Sequence, residues 1–183
     1  KRIPRKNIKP FLGKPIIAYS IEAALKSKLF AEVIVSTDDS EIAEISVGYR
    51  AKVPFFFFFS NSNDHSGIAD VILEVLNWYQ NENKEFRTVC CILPTAPFIK
   101  VDWLNRGYAK LKDELYTSVT AVSAFSYPIF RALKFNDKGK LSMVWPENRN
   151  KRSQDFQTVY HDSGLFYWLL TDIFLKEKKI FTE

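Results

Sequence analysis

The chain has 183 residues, of which 46% are hydrophobic and 26% charged, and a net charge of +5. That length suits one full domain and is short for two, and the composition is ordinary for a globular protein. With no run of about 18 or more apolar residues, a membrane-spanning helix is not expected in this stretch, and without a recognisable leader segment the expected location is the cytoplasm.

The opening stretch, Lys1 to Asn7, carries four cations in seven residues around Pro4. It reads either as a solvated arm or as a loop that holds a polyphosphate. Pro15 suits the first turn of a helix, and Ile17, Ile21, Ala24 and Leu25 then share a face. Glu32 to Thr37 reads as a buried strand ending in Asp38-Asp39-Ser40, a turn and helix start. Ile42, Ile45 and Tyr49 stripe the next helix. Five consecutive phenylalanines, Phe55 to Phe59, form the one low-complexity stretch. Ile68, Val71, Ile72, Val75, Leu76 and Tyr79 follow helical spacing closely.

Thr88 to Leu93 is a second buried strand, stopped by Pro94. It contains both cysteines of the chain, Cys90 and Cys91. Adjacent cysteines cannot bridge each other without strain, so they read as buried thiols in a reducing compartment. Leu104, Tyr108, Leu111 and Leu115 mark a further helix, and Ser118 to Val122 a third strand. The rhythm lapses from about Phe125 to Phe156. Within that stretch Asn136-Asp137-Lys138-Gly139 is a hairpin turn signal, pairing Ala132 to Phe135 with Lys140 to Trp145. Order returns at Ser163 to Leu170.

Strands apolar throughout, separated by amphipathic helices, indicate an α/β fold with a mostly parallel sheet covered on both faces. Ligands of such sheets bind beyond the carboxyl ends of the strands. That rule nominates Asp38-Asp39, Pro94 to Pro97, and the cationic loop ahead of Pro15. The mild basic excess suits an anionic ligand and does not require nucleic acid.

Four stretches, "KRIPRKNIKPFLGKPIIAYSIEAAL", "EVIVSTDDSEIAEI", "LPTAPF" and "RSQDFQTVYHDSGLFYW", resemble the cytidylyltransferases that activate nine-carbon sugar acids, the CMP-sialic acid synthetases and their relatives. The combination of "YPIFRALKF", "MVWPEN" and "YHDSGLFYW" is most similar to the subgroup acting on pseudaminic acid. The resemblance spans nearly the whole chain. It implies a Rossmann-like nucleotide-diphospho-sugar transferase fold with a single domain over residues 1–183, and a protruding or dimerisation subregion near 125–160. It also implies a strand and an Ala-Arg-Gly-Gly-Ser-type turn ahead of Lys1, and a packing segment after Glu183.

The activity implied is transfer of CMP from CTP to the anomeric hydroxyl of a nonulosonic acid, with release of pyrophosphate. Such chemistry needs positioning, cations about the triphosphate and a metal between carboxylate and phosphate. By resemblance, Lys1, Lys6 and Asn7 belong to the CTP loop, with Arg2 and Arg5 as lesser candidates. Lys6 would be a point charge on the phosphates, and Asn7 a hydrogen-bonding group for ribose or phosphate. Asp64 belongs to a stretch similar to the one after the cytosine loop, although it equally suits an N-cap for the helix at Ile68.

Asp162 is read at the end of the last strand, and in the family a carboxylate there binds Mg²⁺. It also fits a turn cap, since Asp-Ser-Gly is a turn signal. Thr95 would line the sugar pocket. Arg131, Arg152 and Gln154 would hold the sugar acid, the arginines by pairing with its carboxylate; a surface ion pair is the competing reading for each arginine. The chain departs from the family at four places. Phenylalanines occupy the position after Val53-Pro54 where relatives carry an Arg-Pro pair. Leu93 stands where sialic acid synthetases often carry a glutamine. Ile68 replaces a hydroxyl residue often found near the base, and no second acidic metal ligand stands near Pro94-Thr95 as it does in some relatives. The expected partners are CTP and a nonulosonic acid, with no nucleic acid or membrane, in a homodimer. The alternatives are a CMP-sialic acid synthetase acting on N-acetylneuraminic or a related acid, and a non-catalytic basic nucleotide- or RNA-binding module.

Overall fold

In the computed structural model, residues 3–55, 67–113 and 115–182 are described. Lys1, Asp64 and Phe56 to Phe59 therefore lie outside the described residues. The chain forms two compact units, one from residues 1–121 and 164–183 and the other from residues 122–163.

The first unit is organised around its most apolar strand, β7 (Tyr160–Leu170), which it enters at Gly164. Phe166, Tyr167, Trp168 and Leu169 are all buried, and their side chains alternate between the two faces of the sheet. Phe166 and Trp168 pack with Ala23 of α1 (Ile16–Ser27) and with Leu104 and Leu111 of α4 (Val101–Lys112). Leu169 packs on the opposite side with Ile72 and Leu76 of α3 (Ile68–Asn81) and Phe174 of α5 (Thr171–Glu177). Helices therefore cover both faces, as a continuously apolar strand requires.

The sheet order is β3-β7-β4, with β3 at Thr88–Ile92 and β4 at Ser118–Ala124. β7 runs antiparallel to β3, in a register from Thr88 opposite Leu170 to Ile92 opposite Phe166. Its direction was invisible in the sequence because a strand buried on both faces has the same apolar pattern whichever way it runs. A consequence is that Asp162 sits near the start of β7 and not at its end.

The segment Glu32 to Thr37 makes a single parallel bridge, Ile34 with Lys52, in place of a regular ladder. Val35 N–H donates to the Lys52 carbonyl at 2.9 Å, and Lys52 N–H donates to the Val33 carbonyl at 2.8 Å. Glu32, at the head of this segment, accepts from Tyr79 Oη at 2.6 Å and from Lys84 Nζ at 2.9 Å, just ahead of β3. The segment and β3 thus start at the same end. Between them lies an apolar cavity of about 500 Å³, bounded also by α1 and α3.

α2 (Ser40–Gly48) starts where the Asp38-Asp39-Ser40 signal places it, with Asp39 as N-cap. α4 stops at Lys112, and Leu115, expected on its stripe, is instead 79% exposed in the following turn. In the second unit the turn at Asn136 to Gly139 joins β5 (Leu133–Phe135) to β6 (Leu141–Met143) in the expected hairpin. Gly139 takes the left-handed φ of +70° that such a turn needs. Among the described residues, no helix is long and apolar enough to cross a membrane.

Candidate functional site

The cationic loop is fastened to α1 by backbone groups. Pro15, the N-cap of that helix, offers no side-chain oxygen to the first helical amides. The loop supplies carbonyls instead: Ile16 N–H donates to Lys9 at 3.0 Å and Ile17 N–H to Asn7 at 3.1 Å. Ile8 is 8% exposed and anchors the loop in a cluster with Ile17, Ile21 and Ala51. Ahead of the helix, β1 (Pro10–Phe11) and β2 (Lys14–Pro15) close a two-residue hairpin through Leu12 and Gly13, both at positive φ.

The cations of this region are not equivalent. Lys14 is paired with Glu22 at 2.5 Å and lies over the Tyr19 ring. Arg5 is engaged by Asp39 and Glu41. Lys6 is exposed and, among the described residues, carries no ion pair. Next to it, Asn7 Oδ1 is buried without a hydrogen-bond donor among the described residues. The Asp39 carboxyl is held below its usual range, first by the Ile42 amide and then by the Arg5 guanidinium.

Asn7 lines the apolar cavity together with Ser36, Thr37, Leu93 and Pro94. Most of the remaining lining is aliphatic or aromatic, which would leave a triphosphate unsolvated. The polar groups of the strand ends and the adjoining loop are better suited to an anion. Thr95 lies half-buried in the turn that follows β3, beside the fully buried Ala96. Ser20 Oγ fastens the start of that turn by donating to the Leu93 carbonyl at 2.8 Å. Burial pushes the Cys91 thiol up to about 11 and the Cys90 thiol upward as well, so neither is a ready nucleophile.

The second unit carries the other candidates. Arg131 Nη1 donates to the Lys151 carbonyl at 2.6 Å, bringing it beside the segment that holds Arg152 and Gln154. Arg152 makes a two-pronged pair with Asp155, at 3.0 and 3.2 Å, inside its own short turn. Gln154 and Asp162 are exposed. His161 Nδ1 donates to the Asp162 carbonyl at 2.9 Å, and its ring meets Phe125 edge-on. Lys6, Asn7 and Thr95 thus belong to the first unit, and Arg131, Arg152, Gln154 and Asp162 to the second. The pairing of Arg5 with Asp39 and Glu41 escaped the sequence reading. Its one trace there was the acidic character of the strand end at Asp38-Asp39.

Residues 1–182 match the family model described as cytidylyltransferase. The chain belongs to the cytidylyltransferase family. It is an enzyme of the nucleotidyltransferase class, and its α/β fold is the one that class uses. It is 40% identical to the pseudaminic acid cytidylyltransferase of Campylobacter jejuni over 99% of this chain and 78% of that protein. It is 31% identical to the CMP-N,N'-diacetyllegionaminic acid synthase of Legionella pneumophila, over 98% and 74%. Among solved structures it resembles CMP:2-keto-3-deoxy-manno-octonic acid synthetase complexed with CTP. That likeness has a TM-score of 0.68 at 20% identity and covers 99% of this chain and 73% of the other.

Proposed function

We propose that this chain transfers CMP from CTP to the anomeric hydroxyl of pseudaminic acid, releasing pyrophosphate. The observation that carries the reading is the near full-length 40% identity to the Campylobacter enzyme named for that sugar, against 31% to the synthase named for legionaminic acid. The anomeric oxygen attacks the α-phosphorus in line and pyrophosphate leaves, so the protein's part is orientation and charge.

Lys6 is the residue we assign to the phosphates, on the family pattern and because its ammonium carries no ion pair among the described residues, whereas Arg5 and Lys14 are paired. Asn7 is assigned to the ribose, since its buried Oδ1 calls for a donor and a ribose hydroxyl provides one. Lys1 and Asp64 are assigned to CTP on the family pattern alone. Thr95, Arg131, Arg152 and Gln154 are assigned to the sugar acid. Arg131 spends one nitrogen on Lys151, whereas Arg152 has to exchange Asp155 for the sugar carboxylate.

The donor set fits a divalent cation that arrives with the nucleotide. Among the described residues no group of three or more metal-binding side chains stands together, and Mg²⁺ needs only one or two carboxylates when phosphate and water complete its shell. Asp162 is the carboxylate we assign to it. Bound there, Mg²⁺ would offset the charge that builds on the phosphates.

We further propose a cytoplasmic homodimer. The hairpin of the second unit supports the dimer: Leu133, Phe135 and Leu141 are 57%, 73% and 60% exposed, and the register sets Leu133 beside Met143 and Phe135 beside Leu141 on one face.

The test is pyrophosphate release from CTP with pseudaminic, N,N'-diacetyllegionaminic and N-acetylneuraminic acids in parallel. Turnover is expected with pseudaminic acid, and Asp162→Asn is expected to lower it by about a hundredfold or more. Turnover confined to another of the three acids overturns the sugar assignment. Full activity in Asp162→Asn overturns the metal assignment.

A further inference from the structure

Arg5 stands in the middle of the cationic loop, yet its charge is turned back onto the protein. Both Nη atoms reach the Asp39 carboxylate, and Nη2 also reaches Glu41. Asp39 is a prepared partner. Its Oδ1 accepts from Ile42 N–H at 3.1 Å as the N-cap of α2, and its own N–H donates to Thr37 Oγ1 at 3.1 Å. The carboxylate is therefore oriented by the helix start whether or not Arg5 is present. A planar guanidinium fork suits such a fixed carboxylate better than a flexible ammonium does.

The backbone at Arg5 sharpens the point. Its φ is +54°, in the left-handed region that favours glycine. The Ile8 N–H donates to the Arg5 carbonyl at 3.1 Å, closing the turn in which Lys6 and Asn7 lie. An arginine here accepts a conformation that glycine would adopt more readily, and in exchange it spans 34 residues of sequence to the first turn of α2.

We propose that Arg5 is a positioning residue for CTP: its link to Asp39 and Glu41 holds the turn so that Lys6 and Asn7 face the nucleotide. The inference rests on the assignment of Lys6 and Asn7 to CTP made above. The competing role is that of a direct phosphate ligand, with the two carboxylates only a resting place for the arginine.

Steady-state kinetics in CTP on the full chain, with melting temperatures at one fixed salt concentration, separate these roles. Arg5→Gly keeps the turn conformation and removes the link. It is expected to raise KM for CTP about fivefold, the scale of one good ion pair, with kcat within about twofold. Arg5→Lys is expected to recover part of the loss. The double variant Asp39→Asn, Glu41→Gln keeps an N-capping side chain while removing both charges, and it is expected to raise KM as Arg5→Gly does. A lower KM in the double variant would show that Arg5 is itself the phosphate ligand and would overturn the proposal. An unchanged KM in Arg5→Gly also overturns it, as does a fall in melting temperature of more than about 5 °C with KM and kcat impaired alike. Lys6→Ala serves as the gauge. If it raises KM and Arg5→Gly does not, the link alone fails; if it leaves KM unchanged, the CTP assignment fails and the proposal with it.

Discussion

Glu32 shows how much one side chain can join. Its carboxylate is 15% exposed and receives Tyr79, Lys84 and, at 3.4 Å, Lys52. It thereby ties the head of the Glu32 to Thr37 segment to α3, to the approach to β3 and to the parallel bridge at Lys52. These partners, Tyr79 first, hold its carboxyl near 2 instead of 4.5, while burial and Glu32 together push the Tyr79 hydroxyl upward. A carboxyl lowered by folding stabilises fully above its unfolded value, and that contribution is lost as pH falls from about 4.5 toward 2. Glu32→Gln is therefore expected to lower the melting temperature at pH 7 by about 2 to 4 °C. It should also flatten the loss of stability on acidification, read from urea midpoints at pH 7 and pH 3. None of these partners could be read from sequence, since Tyr79 and Lys84 lie 47 and 52 residues away. The same is true of Arg5 and Asp39. Periodicity reports which face of an element is apolar, and it carries no information on which distant charges meet.

Among the elements, α4 lies close against the rings of β7, and Gly107 permits it. A Cβ at Gly107 would stand 2.9 Å from Trp168 Cδ1 and 3.0 Å from Phe166 Cε2. Both rings are buried, and Trp168 is stacked on Phe30 with centroids 5.1 Å apart, so neither can retreat. Alanine ordinarily stabilises a helix interior relative to glycine. Here overpacking outweighs propensity, and Gly107→Ala is expected to destabilise by about 1 to 3 kcal/mol, measured by urea unfolding. The elements themselves were largely legible. The stripe from Ile68 to Tyr79 marked α3, whose buried residues are Ile72, Leu76 and Tyr79. Asn136 to Gly139 located the hairpin, and Asp39 the start of α2. Strand direction and the irregular pairing of Glu32 to Thr37 were not legible, because both depend on neighbours that an apolar run does not name.

At the scale of the molecule, the residues proposed for the chemistry are divided between the first unit, with Lys6 and Asn7 for the nucleotide and Thr95 for the sugar, and the unit of residues 122–163, with Arg131, Arg152 and Gln154 for the sugar and Asp162 for the metal. The residue types expected for the reaction were visible in the motifs. The lapse in rhythm from about Phe125 to Phe156 overlaps the second unit and takes in Arg131, Arg152 and Gln154, whereas Asp162 lies beyond it. The apolar hairpin face belongs to this scale too. If the proposed dimer forms through this face, Phe135→Asp is expected to shift it toward monomer in sedimentation equilibrium, with little effect on the stability of the monomer itself because that ring is exposed within one chain. A dimer that persists in Phe135→Asp would place the interface elsewhere. The chain leaves the first unit along β4 and re-enters along β7, which are neighbours in one sheet. An insertion whose two ends emerge side by side can be exchanged as a cassette without redrawing the scaffold. On the assignments proposed above, three of the four acceptor contacts lie in this module, so acceptor preference could diversify between lineages by swapping or drifting it, while the machinery for the activated donor stays as it is.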